Sequence, residues 1–154
     1  MEYKIRKALE GDYTGVFDLV LGLARFQGCE EAVTNSVAGM LEDRELYECY
    51  VAVDGEGNVV GFALFFMTYS TWVGKQLYLE DLYVVEAHRK QGLGTRLVQE
   101  VFKYAQAEDC QRVRWQVSDW NDNAIGLYTK LGASVDRHKY NCDFDRAAIE
   151  GFPV

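Results

Sequence analysis

The stretch KQLYLEDLYVVEAHRKQGLGTRL, Lys75 to Leu97, decides the fold. Its first half, KQLYLEDLYVV, is a long strand, nearly apolar on both faces and therefore central in its sheet. Its second half is a loop with paired glycines, QGLG. A helix follows, with Leu97, Val98, Val101, Phe102 and Ala105 on one face. A strand that runs through a glycine loop into a helix turns backbone N–H groups toward the positive end of the helix dipole. That is an anion-binding arrangement.

The loop is neither of the two common phosphate fingerprints. No Gly-Lys-Ser/Thr follows, so it is not a Walker loop, and Leu97 stands where a dinucleotide fingerprint needs its third glycine. Arg89 and Lys90 add positive charge, and Gly92 and Gly94 remove side chains that would hold a diphosphate at a distance. The ligand expected is a pyrophosphate from something other than a dinucleotide.

Glu80 and Asp81 interrupt the strand. Acids are poor strand formers, and a buried carboxylate is costly unless paired. A regular strand would point them to opposite faces, whereas a bulge would bring both to one mouth of a cleft. Structural salt bridges are the alternative to a base or a cation-binding acid, and a raised pKa in either acid would favour the base role.

Outward from this stretch, YKIRKA (Tyr3 to Ala8) alternates like a strand. Asp12 can cap a helix carrying Val16, Leu19, Val20, Leu23 and Phe26, and a weaker helix spans Glu30 to Leu41. ECYVAVD and NVVGFALFFMTY are strands joined by the turn residues Asp54 to Asn58. RVRWQVS is a strand, Asn121 caps a short helix that Gly132 ends, and YNCDF (Tyr140 to Phe144) is a last strand. The expected order is β-α-α-β-β-β-α-β-α-β, an α/β fold on one mixed sheet.

At 154 residues with one proline, at position 153, the chain fits one domain spanning 1–154. The net charge of -8 argues against nucleic acid and against an anionic membrane surface. The cysteines, Cys29, Cys49, Cys110 and Cys142, form no CxxC, and neither His88 nor His138 stands at metal-ligand spacing from them. Free thiols in a reducing cytoplasm are expected, with no metal.

Arg89-Lys90-Gln91-Gly92-Leu93-Gly94 after a long strand resembles the signature of the GNAT family of N-acetyltransferases. IRKALEGD (Ile5 to Asp12) and WNDNAIGLYTKLGA (Trp120 to Ala133) fit it as well. The resemblance is closest to the diamine (spermidine/spermine) and thialysine branch, through GFALFFMTYSTWVGKQLYLEDLYV and DWNDNAIGLYTKLGA. It implies a sheet of about six or seven strands flanked by about four helices.

It also implies roles. Arg89, Lys90, Gln91, Gly92, Leu93, Gly94 and Thr95 would cradle the pyrophosphate of acetyl-CoA. Backbone groups of Leu82, Tyr83 and Val84 would pair with its pantetheine arm, and one N–H would polarise the thioester carbonyl. Asn121, Asp122, Asn123 and Ala124 match positions beside the co-substrate. Tyr128 matches the general acid that protonates the departing thiolate, although its helical spacing alone also suits a core aromatic. Glu80 matches the base and Asp81 a residue holding the cation.

Near pH 7 only about one alkyl amine in a thousand is unprotonated, so a proton acceptor is needed. The implied reaction is direct acetyl transfer to a primary amine, with no cysteine nucleophile. Phe26-Gln27 replaces an aromatic-Glu pair of the polyamine branch, and Arg137, His138 and Lys139 replace an acidic tail segment. A diamine or lysine-like amino acid therefore competes with a polyamine. Trp72 matches a family tryptophan that would wall the amine pocket, although an ordinary loop-packing role suits it equally, and a homodimer is expected by analogy. Two other readings stand beside this one: a protein or peptide acetyltransferase, and a non-catalytic CoA-binding module.

Overall fold

The computed structural model describes residues 2–153. They fall into two compact units, Met1–Gln116 and Val117–Val154. The first is built on one sheet of five strands: β1 (Lys4–Lys7), β2 (Glu48–Val53), β3 (Val59–Ser70), β4 (Gly74–Val84) and β5 (Arg112–Trp115), lying side by side in chain order. Each neighbouring pair among the first four is antiparallel and β5 runs parallel to β4, so the sheet is mixed, as expected. The β2–β3 turn closes on Asp54, whose carboxylate accepts from the backbone N–H groups of Glu56 and Asn58, while Gly57 takes φ 92°.

Alternation along the strands gives the sheet two apolar faces. On one lie α1 (Tyr13–Phe26) and α2 (Val37–Glu42), and Val16, Leu19 and Met40 pack there with Cys49, Val51, Phe62 and Leu64. On the other lies α3 (Leu93–Ala107), whose Leu93, Leu97, Val101 and Ala105 meet Ala63, Phe65, Leu77 and Leu79. Each fully buried large side chain contributes about 1.5–3 kcal/mol. The buried row of α3 begins at Leu93, a turn earlier than the sequence suggested, and Phe102 is exposed.

Three local expectations change. Asp12 precedes α1 but makes no cap there. Its carboxylate is held by Arg6 and by the Leu9 N–H, and the Arg6 hydrogen bond lowers its pKa. The weak second helix shrinks to a single 3-10 turn at Glu30–Ala32 followed by α2, which Ser36 caps through its hydroxyl. RVRWQVS pairs only as far as Trp115.

The second unit holds α4 (Asp122–Lys130) and α5 (Arg146–Glu150). Asn121 caps α4 as expected, accepting from the Ala124 N–H at 3.2 Å, and Gly132 follows in the left-handed conformation. Among the described residues no strand follows β5, which leaves the sheet at five strands rather than six or seven. Tyr140 to Phe144, expected as a strand, is exposed throughout. Asp145 caps α5 through the Ala148 N–H, a helix not expected. Among the described residues no helix is long and apolar enough to cross a membrane.

Candidate active site

The acidic pair sits on a register break. Leu79 pairs with Phe65 and Asp81 with Leu64, so Glu80 is an extra residue in β4 and the strand bulges there. The bulge switches which residues face which layer. Leu77 and Leu79 face α3 before it, and Leu82 and Val84 face α3 after it. Asp81 shares the opposite face with Leu64, and Tyr83 shares it with Phe62, toward α1. Without the bulge, Asp81 would enter the α3 core.

Burial, and then the charge of Glu80, push the Asp81 carboxyl up to about 6. Glu80 is exposed. Burial, and then the charge of Glu80, also raise the Tyr78 phenol, with Arg114 opposing and Asp81 adding to the rise.

Beside the acidic pair, among the described residues, β4 has an edge that no strand pairs with, its open edge. Strand β5 pairs with β4 only from Gln76 to Leu79 and stops at the bulge. On the other side the Val85 N–H donates to the Val60 carbonyl at 3.0 Å, in register with Gly61 opposite Val84. Antiparallel hydrogen bonding alternates, so Tyr83 and Val85 direct their backbone groups to β3, while Leu82 and Val84 direct theirs to the open edge. Of the three residues expected to receive an extended arm, Leu82 and Val84 therefore present N–H groups to it. Tyr83 instead presents its ring to α1, where a Cβ on Gly22 would lie 3.3 Å from the phenol oxygen.

The loop leaves β4 through a 3-10 turn, Glu86–His88, and enters α3. Lys90 (φ 62°) and Gly92 (φ 73°) are both left-handed, which curls the backbone into a nest of N–H groups. The start of α3 has no side-chain cap, so the first-turn N–H groups of Leu93, Gly94 and Thr95 point outward. Leu93 is buried and pins the loop to the core. The glycines differ in what they do. Gly92 is needed for its φ, whereas a Cβ on Gly94 would meet nothing within 4 Å, so Gly94 keeps space clear. Lys90, Gln91 and Thr95 are exposed around this space.

Arg89 does not extend over the loop. Its Nε donates to the Val84 carbonyl at 2.9 Å, and its guanidinium lies 5.6 Å from the ring centres of both Phe26 and Tyr83. Composition and spacing carried no signal for this contact, nor for the Tyr3 hydroxyl 3.0 Å from His88 Nδ1. Gln27, after α1, is exposed, and so is Trp72, at the β3–β4 turn. Cys49 is buried, and burial first, then the carboxylates of Asp12, Asp81 and Glu48, push its thiol up to about 12, which makes it inert.

In the second unit, Asp122 and Asn123 occupy the exposed first turn of α4 beside Ala124. Tyr128 is half-buried on the same helix, and burial raises its phenol pKa, which keeps the proton in place near neutrality.

A nest at a helix start, a strand edge running into it and an acidic pair at the bulge are what this part of the chain offers chemically. The acetyltransferase (GNAT) family model matches residues 13–133. The chain belongs to this family.

Among similar proteins, the thialysine N-epsilon-acetyltransferase of Bos taurus is 36% identical over 140 residues, covering 84% of this chain and 82% of that protein. An L-ornithine N5-acetyltransferase of Arabidopsis thaliana is 39% identical over 93 residues, 60% of this chain and 41% of that protein. The crystal structure of a possible acetyltransferase from Clostridium difficile 630 matches with a TM-score of 0.77 and 22% identity, over 95% of this chain and all of that one, which is a likeness of fold. This GNAT chain is an acyltransferase, and the family's co-substrate is acetyl-CoA. The donors fit that group: outward N–H groups at a clear nest suit a diphosphate, and alternate N–H groups on an open edge suit an amide-bearing arm.

Proposed function

We propose that the chain transfers acetyl directly from acetyl-CoA to a primary amine of a small cationic substrate: a polyamine, a diamine or a lysine-like amino acid. The observation that carries this reading is the bulge, which gathers Glu80 and Asp81 on one face of β4 beside its open edge. The named substrates of the relatives, thialysine and ornithine, support the class of acceptor.

Acetyl-CoA supplies an activated acyl group, and the residues of the chain supply the rest. The nest from Lys90 to Thr95 holds the diphosphate, and the Leu82 and Val84 N–H groups align the arm and polarise the thioester carbonyl. The raised pKa favours Asp81 as the acceptor of the ammonium proton, while exposed Glu80 attracts and holds the cation. Tyr128 keeps a proton available for the departing thiolate, with Asn121 to Ala124 beside the co-substrate. The inert Cys49 thiol agrees with a route that has no acyl-enzyme.

On this reading residues 1–154 are a single catalytic domain, working in the cytoplasm as a homodimer. Thiol release from acetyl-CoA across an amine library that includes peptides tests it. Turnover with small di- and polyamines or lysine-like amino acids, with intersecting initial-rate patterns, is expected. Ping-pong kinetics, or turnover of peptides alone, would contradict it.

A further inference from the structure

We infer that Arg89 is a positioning residue, clamped between Phe26 and Tyr83, that ties the C-terminal end of α1 to the cofactor edge of β4. The inference rests on the co-substrate reading above and adds to it a link between two parts of the site.

Three contacts define the clamp. The guanidinium lies within cation–π range of both rings, at 5.6 Å from each. Its Nε donates to the carbonyl of Val84, a group that faces the open edge. Gly22 and Phe26 lie one helical turn apart on α1, so the helix that presses its backbone on the Tyr83 ring at Gly22 brings the Phe26 ring over the guanidinium. Arg89 immediately precedes left-handed Lys90, so fixing its side chain fixes the point at which the chain enters the nest.

The clamp assigns two side chains a different task from the one that charge and composition suggest. The Arg89 cation is used on two rings and a carbonyl rather than on the diphosphate. Phe26 acts on the cofactor side of the site through Arg89, even when no amine is present. The geometry therefore couples the end of α1 to CoA affinity.

Calorimetric titration of the full chain with CoA alone, without an amine, tests this. Phe26→Leu, which keeps the positive charge and is tolerable at a side chain that is 51% exposed, is expected to weaken CoA binding by about threefold to tenfold. Arg89→Lys should weaken it as much, because a lysine cannot stack on two rings and hydrogen-bond through a planar nitrogen at once. The double variant should be no weaker than Arg89→Lys alone, and Phe26→Tyr should bind as the unaltered protein does. Circular dichroism melting of each variant confirms that folded protein is being compared. Wild-type affinity in Phe26→Leu beside a loss in Arg89→Lys would overturn the clamp, as would additive losses in the double variant. Absence of CoA binding by the unaltered protein would instead overturn the co-substrate reading.

Discussion

Asp81 stands opposite Leu64 on the α1 face of the sheet, one residue out of the step set by Leu79 and Phe65. That displacement puts a carboxylate into a half-buried place where its charge is poorly solvated, and its pKa rises to about 6. A carboxylate raised in the folded state favours folding fully below its unfolded pKa of about 4. That contribution is lost as pH rises through 6. Asp81→Asn is therefore expected to be more stable than the unaltered protein at pH 8, by about 1–3 kcal/mol, with the gap closing toward pH 4. Urea denaturation at pH 4, 6 and 8 measures it. A variant less stable at pH 8 would show that the Asp81 charge is compensated.

The same group sets the acidic limb of the reaction. With Asp81 as the proton acceptor, kcat/KM should fall as pH drops through about 6, and Asp81→Asn should lose this limb together with about 100-fold or more of the rate. A pH profile unchanged in Asp81→Asn would pass the base role to Glu80. Glu80→Gln is expected to raise KM for cationic amines several-fold while leaving CoA affinity alone, as removal of an exposed attracting charge should.

Gly92 and Gly94 separate conformation from space. Gly92→Ala should destabilise the protein by about 1 kcal/mol, because φ 73° is unfavourable once a Cβ is present. Gly94→Ala, in the first turn of α3 with nothing near its Cβ, should leave stability equal or slightly higher yet weaken CoA binding, because the methyl enters the space reserved for the diphosphate. Thermal melting with and without CoA distinguishes the two. Equal CoA affinity in Gly94→Ala and the unaltered protein would mean that the diphosphate lies elsewhere.

Tyr128→Phe keeps the ring and removes only the proton donor. The expected outcome is a tenfold to hundredfold fall in kcat, by order of magnitude, with KM for acetyl-CoA little changed. Full activity would remove Tyr128 from the mechanism.

The strand, glycine loop and helix from Lys75 to Leu97 were legible because each rests on local physics: a nearly continuous apolar run, paired glycines at a turn and helical spacing. The Asn121 cap was legible for the same reason. The bulge was readable only as a possibility, since register depends on β3, and only pairing with Leu64 and Phe65 shows that Glu80 is the extra residue. Which of Leu82, Tyr83 and Val84 offers its backbone also follows from register, not from residue type. The clamp on Arg89 joins residues more than sixty positions apart, and no periodicity reports such a contact. Tyr140 to Phe144 carries strand-forming residues, but a strand exists only where a partner strand receives it. Asp12 had a cap's chemistry, but its carboxylate is taken by Arg6 and by the Leu9 N–H, which precede α1, and none is left for the first turn of the helix.

Backbone amide NMR during titration with CoA tests most directly whether the nest and the open edge hold the co-substrate. The largest shifts are expected at Gly92, Leu93 and Gly94 and at the alternate pair Leu82 and Val84, with Tyr83 between them moving least. Saturable shifts that leave these amides still, or no shift at millimolar CoA, would contradict the site and the reaction built on it.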